Sequence, residues 1–183
     1  MRETKNDVLD FWFEELAPQQ WFQQNDEIDA TIKERFSGIH EMAKEGACDE
    51  WAVDVDGALA LIIVLDQFPR HMFRGSPDSF ATDKKALLVA KEAISKGFDQ
   101  ILNPTKRGFM YLPFQHSEVL TYQLRSVELY EAMKDVNPTG HMYAVRHFEP
   151  IDKFGRFPHR NDVIGRESTP EEVEFLKTHK GFL

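Results

Sequence analysis

The sequence predicts an all-α fold, and three observations carry that prediction. Apolar residues recur at helical spacing along the chain: Ile28, Ile32, Phe36, Ile39 and Met42 step by four, four, three and three, lining one face of a helix. Helix punctuation, an Asn or Thr before a start and a Gly after an end, separates such runs. No alternating stretch is long enough to read as a strand. Short turns between helices predict stacked antiparallel pairs. At 183 residues, 42% of them hydrophobic and 12% aromatic, we expect one domain over 1–183, able to bury roughly 70% of the surface of its unfolded chain.

The elements follow in order. Val8, Leu9, Phe11, Trp12 and Phe13 predict a short amphipathic helix that stops near Pro18. The next helix takes Asn25 or Asp26 as its cap and Gly46 as its left-handed terminus. The run Ala58–Leu65 is apolar all round, and with Asp56-Gly57 before it and Phe68 after it reads as a central helix with no exposed face. Pro69 is expected to stop it, leaving Arg70 and His71 at its C-terminus. A helix from Ser79 or Thr82 to Lys96 presents Leu87, Leu88, Ala90 and Ile94, with Gly97 closing it. Another opens at Asn103-Pro104. Pro113 is expected to break or kink it, and a long helix then runs to about Asp135, with His116, Leu120, Leu124 and Val127 as its inner stripe. After the turn Asn137–Gly140 helical spacing resumes to Phe154, distorted at Pro150. The last helix carries Thr169 as cap, Pro170 at its first position and Glu172 as capping-box partner, with Val173, Phe175 and Leu176 inward.

Charge narrows the function classes. A net charge of −9 argues against nucleic acid or an anionic membrane as partner. Between His141 and Arg166, however, the balance reverses: Arg146, Lys153, Arg156, Arg160 and Arg166 outnumber Glu149, Asp152 and Asp162. An acidic chain with a basic island suits a small anionic ligand better than a polymer, unless acids from elsewhere in the fold neutralise the island. Cys48 is the only cysteine, which excludes an intrachain disulfide and a thiolate cluster. Its acidic neighbours Asp49 and Glu50 disfavour a thiolate. The longest apolar run, at eight residues, is far below the ~20 of a membrane helix, and the N-terminus leads into no signal-type segment, so the chain is expected in the cytoplasm.

Two segments concentrate the chemistry-bearing residues. Phe154-Gly155-Arg156-Phe157-Pro158-His159-Arg160-Asn161 has a shorter echo about ninety residues upstream in Asp66-Gln67-Phe68-Pro69-Arg70-His71. Both set Phe-Pro beside Arg and His, pairing anion receptors with a side chain that titrates near neutral pH. His116 and His147 are phased inward, and Arg146 is expected in a surface pair with Glu149. We expect Arg70, His116, His147 and the Arg156–Asn161 loop to surround one cavity. Arg70 can alternatively pair with Asp66, and the loop, whose Asn161 can cap a turn at Asp162–Gly165, can equally be a scaffold tie. HExxH, GxGxxG, P-loop and GxSxG patterns are absent, so neither a metal nor a cofactor is expected.

The motifs Val8–Phe13, Trp21-Phe22, Leu65–Arg70, Leu112–Glu118 and Arg156–Asn161 through Gly165–Thr169 resemble, over nearly the whole chain, a largely bacterial family of uncharacterised proteins, a domain of unknown function. The resemblance implies a tetratricopeptide-like fold, a right-handed superhelix of α-hairpins. It carries over no catalytic residues. His71 departs from the pattern, which leads one to expect Asn after Pro-Arg.

Two functions remain open. In the first, a carboxylate- or phosphate-bearing ligand is bound by Arg70, His71, His116, His147, Arg156, His159, Arg160 and Asn161, and an enzyme is conceivable. His116 or His159 would then transfer the proton, with Glu118 or Asp66 fixing the tautomer. On this reading Arg156 and Arg160 lack enough acidic partners. In the second, the stacked hairpins present a concave surface to a peptide or partner protein, without catalysis.

Overall fold

The computed structural model of the protein describes residues 3–179, and among them every regular element is helical. Helix α1 (Lys5–Asp10) starts from a reciprocal cap between Thr4 and Asp7, then loosens into a π turn over Phe11–Glu15. Helix α2 (Asp26–Glu45) begins where Asn25 accepts from the Glu27 and Ile28 amides, and ends at Gly46, whose φ of 93° suits glycine. Of its expected face, Ile28, Ile32, Phe36 and Ile39 are buried and Met42 is half-buried against the core.

The central helix is α3 (Val55–Ile62), continued by a π turn over Ile63–Gln67 and by α4 (Phe68–Met72). Every residue from Ala58 to Leu65 is at 0% exposure, so this segment is surrounded on all sides. Pro69 does not stop it. The wider π turn absorbs the missing N–H: Phe68 reaches back to the Ile63 carbonyl, and the Leu65 carbonyl accepts instead from Thr82 Oγ1 at 2.5 Å. Arg70 and His71 still fall in the last turn, as the sequence suggests.

Helix α5 (Asp83–Ser95) lies against α3 with Ala86, Leu87 and Ala90 inward, but Leu88 faces solvent, 63% exposed. Helix α6 (Pro104–Gln115) runs through Pro113 and ends at His116, and α7 (Leu120–Glu131) is a separate helix. The expected long helix is therefore two. Gln123 holds this break: its Nε2 donates to the carbonyls of Gln115 at 2.7 Å and Ser117 at 2.6 Å, satisfying groups left open where α6 ends. The expected stripe fails with it. Leu120 and Leu124 are exposed, while Gln123, Ser126, Leu129 and Tyr130 form the buried face.

Helix α8 (Pro138–Phe154) accommodates Pro150 and closes at Gly155. A turn at Pro158–Arg160 leads into the short α9 (Asn161–Ile164), and α10 (Pro170–Thr178) starts with the expected Thr169–Glu172 capping box. Val173 points outward, 48% exposed. Arg146 is exposed and lies over the Tyr143 ring rather than beside Glu149.

Candidate functional site

His116 is the C-cap residue of α6, and its ring turns toward the π turn of the central helix. There Nδ1 meets Oδ1 of Asp66 at 2.7 Å. Asp66 is fully buried, held through its other oxygen by Gln67 Nε2 at 2.5 Å, with Arg70 Nη1 3.5 Å from Oδ1. Burial opposes its ionisation, but Arg70, His116 and Gln67 together overcome that and keep the carboxyl well below the usual carboxylate range. An ionised Asp66 accepts the Nδ1 proton, which fixes the tautomer of a neutral His116 and leaves its Nε2 as a lone pair. Among the described residues the His116 ring makes its hydrogen bond through Nδ1, and none reaches Nε2.

Two arginines share one acid beside this pair. Arg70 forks onto Asp83 at 2.9 and 3.1 Å. Arg160 reaches Oδ2 of the same Asp83 at 3.2 Å and the His116 carbonyl at 2.9 Å. The Arg160 guanidinium sits 4.3 Å from the ring centre of Phe80 and 4.7 Å from that of Phe157. Burial pulls its pKa down to about 10 against the attraction of Asp83. Its Nε is buried without a hydrogen-bond partner, an open donor in a side chain only 9% exposed.

Two further imidazoles complete the cluster. The His147 ring lies 6.0 Å from that of His116 and 5.9 Å from Phe157, and His159 lies 5.3 Å from Phe157. Both are pushed down to about 3, His147 by burial and then by His116, His159 by burial and then by Arg160. The His116 ring is also lowered, by burial and by Arg70. All three imidazoles are therefore neutral near pH 7.

The structure thus brings together Asp66, Arg70, His116, His147, His159 and Arg160. Other residues of the sequence reading lie elsewhere. His71 is buried with Nδ1 2.7 Å from Asp29, which also takes a fork from Arg74. Arg156 turns away from the cluster to fork onto Glu172 at 2.6 and 2.8 Å. Asn161 does not cap its turn; its Nδ2 donates to Ser168 and Glu172. Glu118 borders the cluster without touching His116: it accepts the Phe157 amide at 2.7 Å and a fork from Arg166, and its charge acts on His159 and Arg160. The loop's arginines do not lack acids: Arg156 has Glu172 and Arg160 has Asp83. The sequence reading missed Asp83 and Phe80 because an acid in the first turn of a helix has an ordinary explanation in the dipole. The one available signal was that a half-buried Arg70 and a buried Arg160 require an acid between them. Among the described residues no group of three or more His, Cys, Asp or Glu side chains is placed to hold a metal ion, and no helix is long and apolar enough to cross a membrane.

Fold and site define an all-helical protein with a buried Asp–His pair ringed by arginines and imidazoles. The chain belongs to a family of bacterial proteins of unknown function, DUF924, whose pattern matches residues 8–180. It is similar to a solved protein of unknown function, ATU0120 from Agrobacterium tumefaciens, with 37% identity and a TM-score of 0.90 over 96% of this chain and 97% of that one. No curated protein matches it.

Proposed function

We propose that this protein binds a small anion bearing carboxylate or phosphate at the Arg70–His116–Arg160 cluster, and that His116, oriented by Asp66, is its proton-transfer group. The observation that carries this reading is the 2.7 Å contact between His116 Nδ1 and the fully buried carboxyl of Asp66, with Nε2 left open. A carboxylate that fixes one ring nitrogen prepares the other as a general base. The open Nε donor of Arg160 supports an anionic partner. The work of such a protein lies in the cytoplasm on small metabolites.

A peptide-binding role has one observation in its favour. A groove between α5 and α7 is lined by Ile94, Phe114, Tyr122, Lys91 and Arg125, and Leu120 and Leu124 are exposed on α7. It contains none of the clustered Arg and His residues, so the anion reading stands first.

A thermal-shift screen against small carboxylates and phosphate esters tests the proposal. A ligand at a hundred times its dissociation constant stabilises by about 2.7 kcal/mol. We expect hits whose shift shrinks in His116→Gln and persists in full in Tyr122→Ala. Hits lost only in Tyr122→Ala would transfer the function to the groove.

A further inference from the structure

The charges around His116 are already balanced before any ligand arrives. From the central helix, Asp66 and Arg70 face it. Asp83 approaches from α5 and His147 from α8. The loop after α8 brings Arg160 to its carbonyl, with His159 alongside. The link after α6 contributes Glu118, which acts on His159 and Arg160 and is itself forked by Arg166. Arg70, Arg160 and Arg166 thus stand against Asp66, Asp83 and Glu118, each arginine hydrogen-bonded to one of these acids. With the imidazoles neutral, the cluster carries no net charge.

An anion entering such a site adds a negative charge where the protein has no free positive charge to meet it. Desolvating an uncompensated charge is strongly unfavourable. Pulling an arginine off its acid would only expose another anion. His116 can supply the missing charge without breaking an ion pair, because an acid already rests on its ring. Nε2 of His116 is open, and protonating it creates an imidazolium whose Nδ1–H already rests on Asp66. The new Nε2–H is then a donor for the anion, alongside the Nε–H of Arg160, which has no acceptor.

We infer that this site takes up its anion together with one proton, which settles on Nε2 of His116. The inference rests on the anion-site reading proposed above and adds the requirement of proton coupling. The chemistry is a single proton transfer: solvent buffer acid loses the proton, the Nε2–H bond forms, and no other bond changes. The ligand is then an anion that reaches the site in effect together with the proton of its acid. Affinity should then be lost as pH rises, because the free site holds His116 neutral and each complex must draw its proton from a scarcer supply.

Calorimetric titration with sulfate and with acetate tests this, since both ions stay fully charged above pH 6. Two cationic buffers of different ionisation enthalpy, which do not compete for an anion site, report the protons taken up. For whichever ion binds, we expect uptake approaching one proton and an affinity that falls by up to about tenfold per pH unit between pH 6 and 8. His116→Gln, which cannot titrate, should bind more weakly with no proton uptake and a flat pH profile. Binding by the wild type with no uptake and no pH dependence would overturn the proton coupling while leaving the anion site intact. Binding of neither ion at any pH would remove the anion site itself.

Discussion

Nη2 of Arg160 donates to the main-chain carbonyl of His116 at 2.9 Å, which ties the C-terminal loop to the one imidazole that Asp66 orients. The same guanidinium holds Asp83, the acid that Arg70 also forks. Arg160 therefore both builds the cluster and borders the place where an anion would sit.

That double role fixes what truncation should do. Arg160→Ala removes a buried charge-assisted hydrogen bond and the packing between Phe80 and Phe157, but Asp83 keeps Arg70. We expect a loss of about 2–3 kcal/mol. Arg156→Ala instead strips Glu172, a 1% exposed acid, of its fork and leaves it with the Thr169 amide and Asn161. A loss clearly larger than that of a surface truncation follows, since a carboxylate with little access to water loses its cation. Arg146→Ala, on an exposed side chain, should stay within about 0.5 kcal/mol. Urea denaturation of the three variants orders them, and an Arg156→Ala variant as stable as Arg146→Ala would show that the Glu172 fork contributes nothing.

The central helix gives a second expectation. Ile62 and Ile63 are both at 0% exposure, and truncating either to Ala should cost about 2–5 kcal/mol. A loss below about 1 kcal/mol in either, as for a surface truncation, would contradict a helix buried on all sides.

Acid should weaken the free protein through its histidines. Burial lowers the pKa of His40, His71, His116, His147 and His159. Above the ordinary histidine value of about 6.5 both states are neutral and these groups exert no pH effect. As pH falls below it the unfolded chain binds protons that the native chain refuses, so stability is lost. For His147 and His159 that loss continues down to about 3, their value in the fold. Each such histidine contributes a slope of up to ~1.4 kcal/mol per pH unit within its window. His40 shows the effect most simply: it is only 3% exposed, and the acid at its ring, Glu41 at 3.5 Å from Nδ1, is too far for a good hydrogen bond and does not offset burial. His40→Leu should raise stability at pH 5 more than at pH 8, as read by denaturant midpoints. An equal effect at both values would mean that the buried imidazole does not resist protonation.

Much of the fold was legible because local signals agreed with one another. The Asn25 cap, the Gly46 terminus and the face Ile28–Ile39 specify α2 without help from the rest of the chain. The break after Gln115 was not legible, because what makes it is Gln123, a residue of the next helix that reaches back to the carbonyls of Gln115 and Ser117. Pro69 misled for a related reason: its lost hydrogen bond is replaced by Thr82, seventeen residues away in the chain. In the site, inward phasing located His116 although the helix assumed for it was wrong. It could not distinguish Arg160, which enters the cluster, from Arg156, which faces Glu172. Four residues apart in a loop with no fixed period, their directions depend on which acids the fold brings near.

The most direct test of the central claim is to follow the ring nitrogens of all seven histidines by long-range ¹⁵N–¹H correlation at pH 7 while titrating inorganic phosphate. His116 should start as the Nδ1–H tautomer with an unprotonated Nε2, and should shift toward the doubly protonated form as phosphate binds. His147 and His159 should move with it, while His40 and His71, outside the cluster, should stay still. An Nε2–H tautomer in the free protein, or phosphate shifts confined to His71 or to no histidine, would contradict the account.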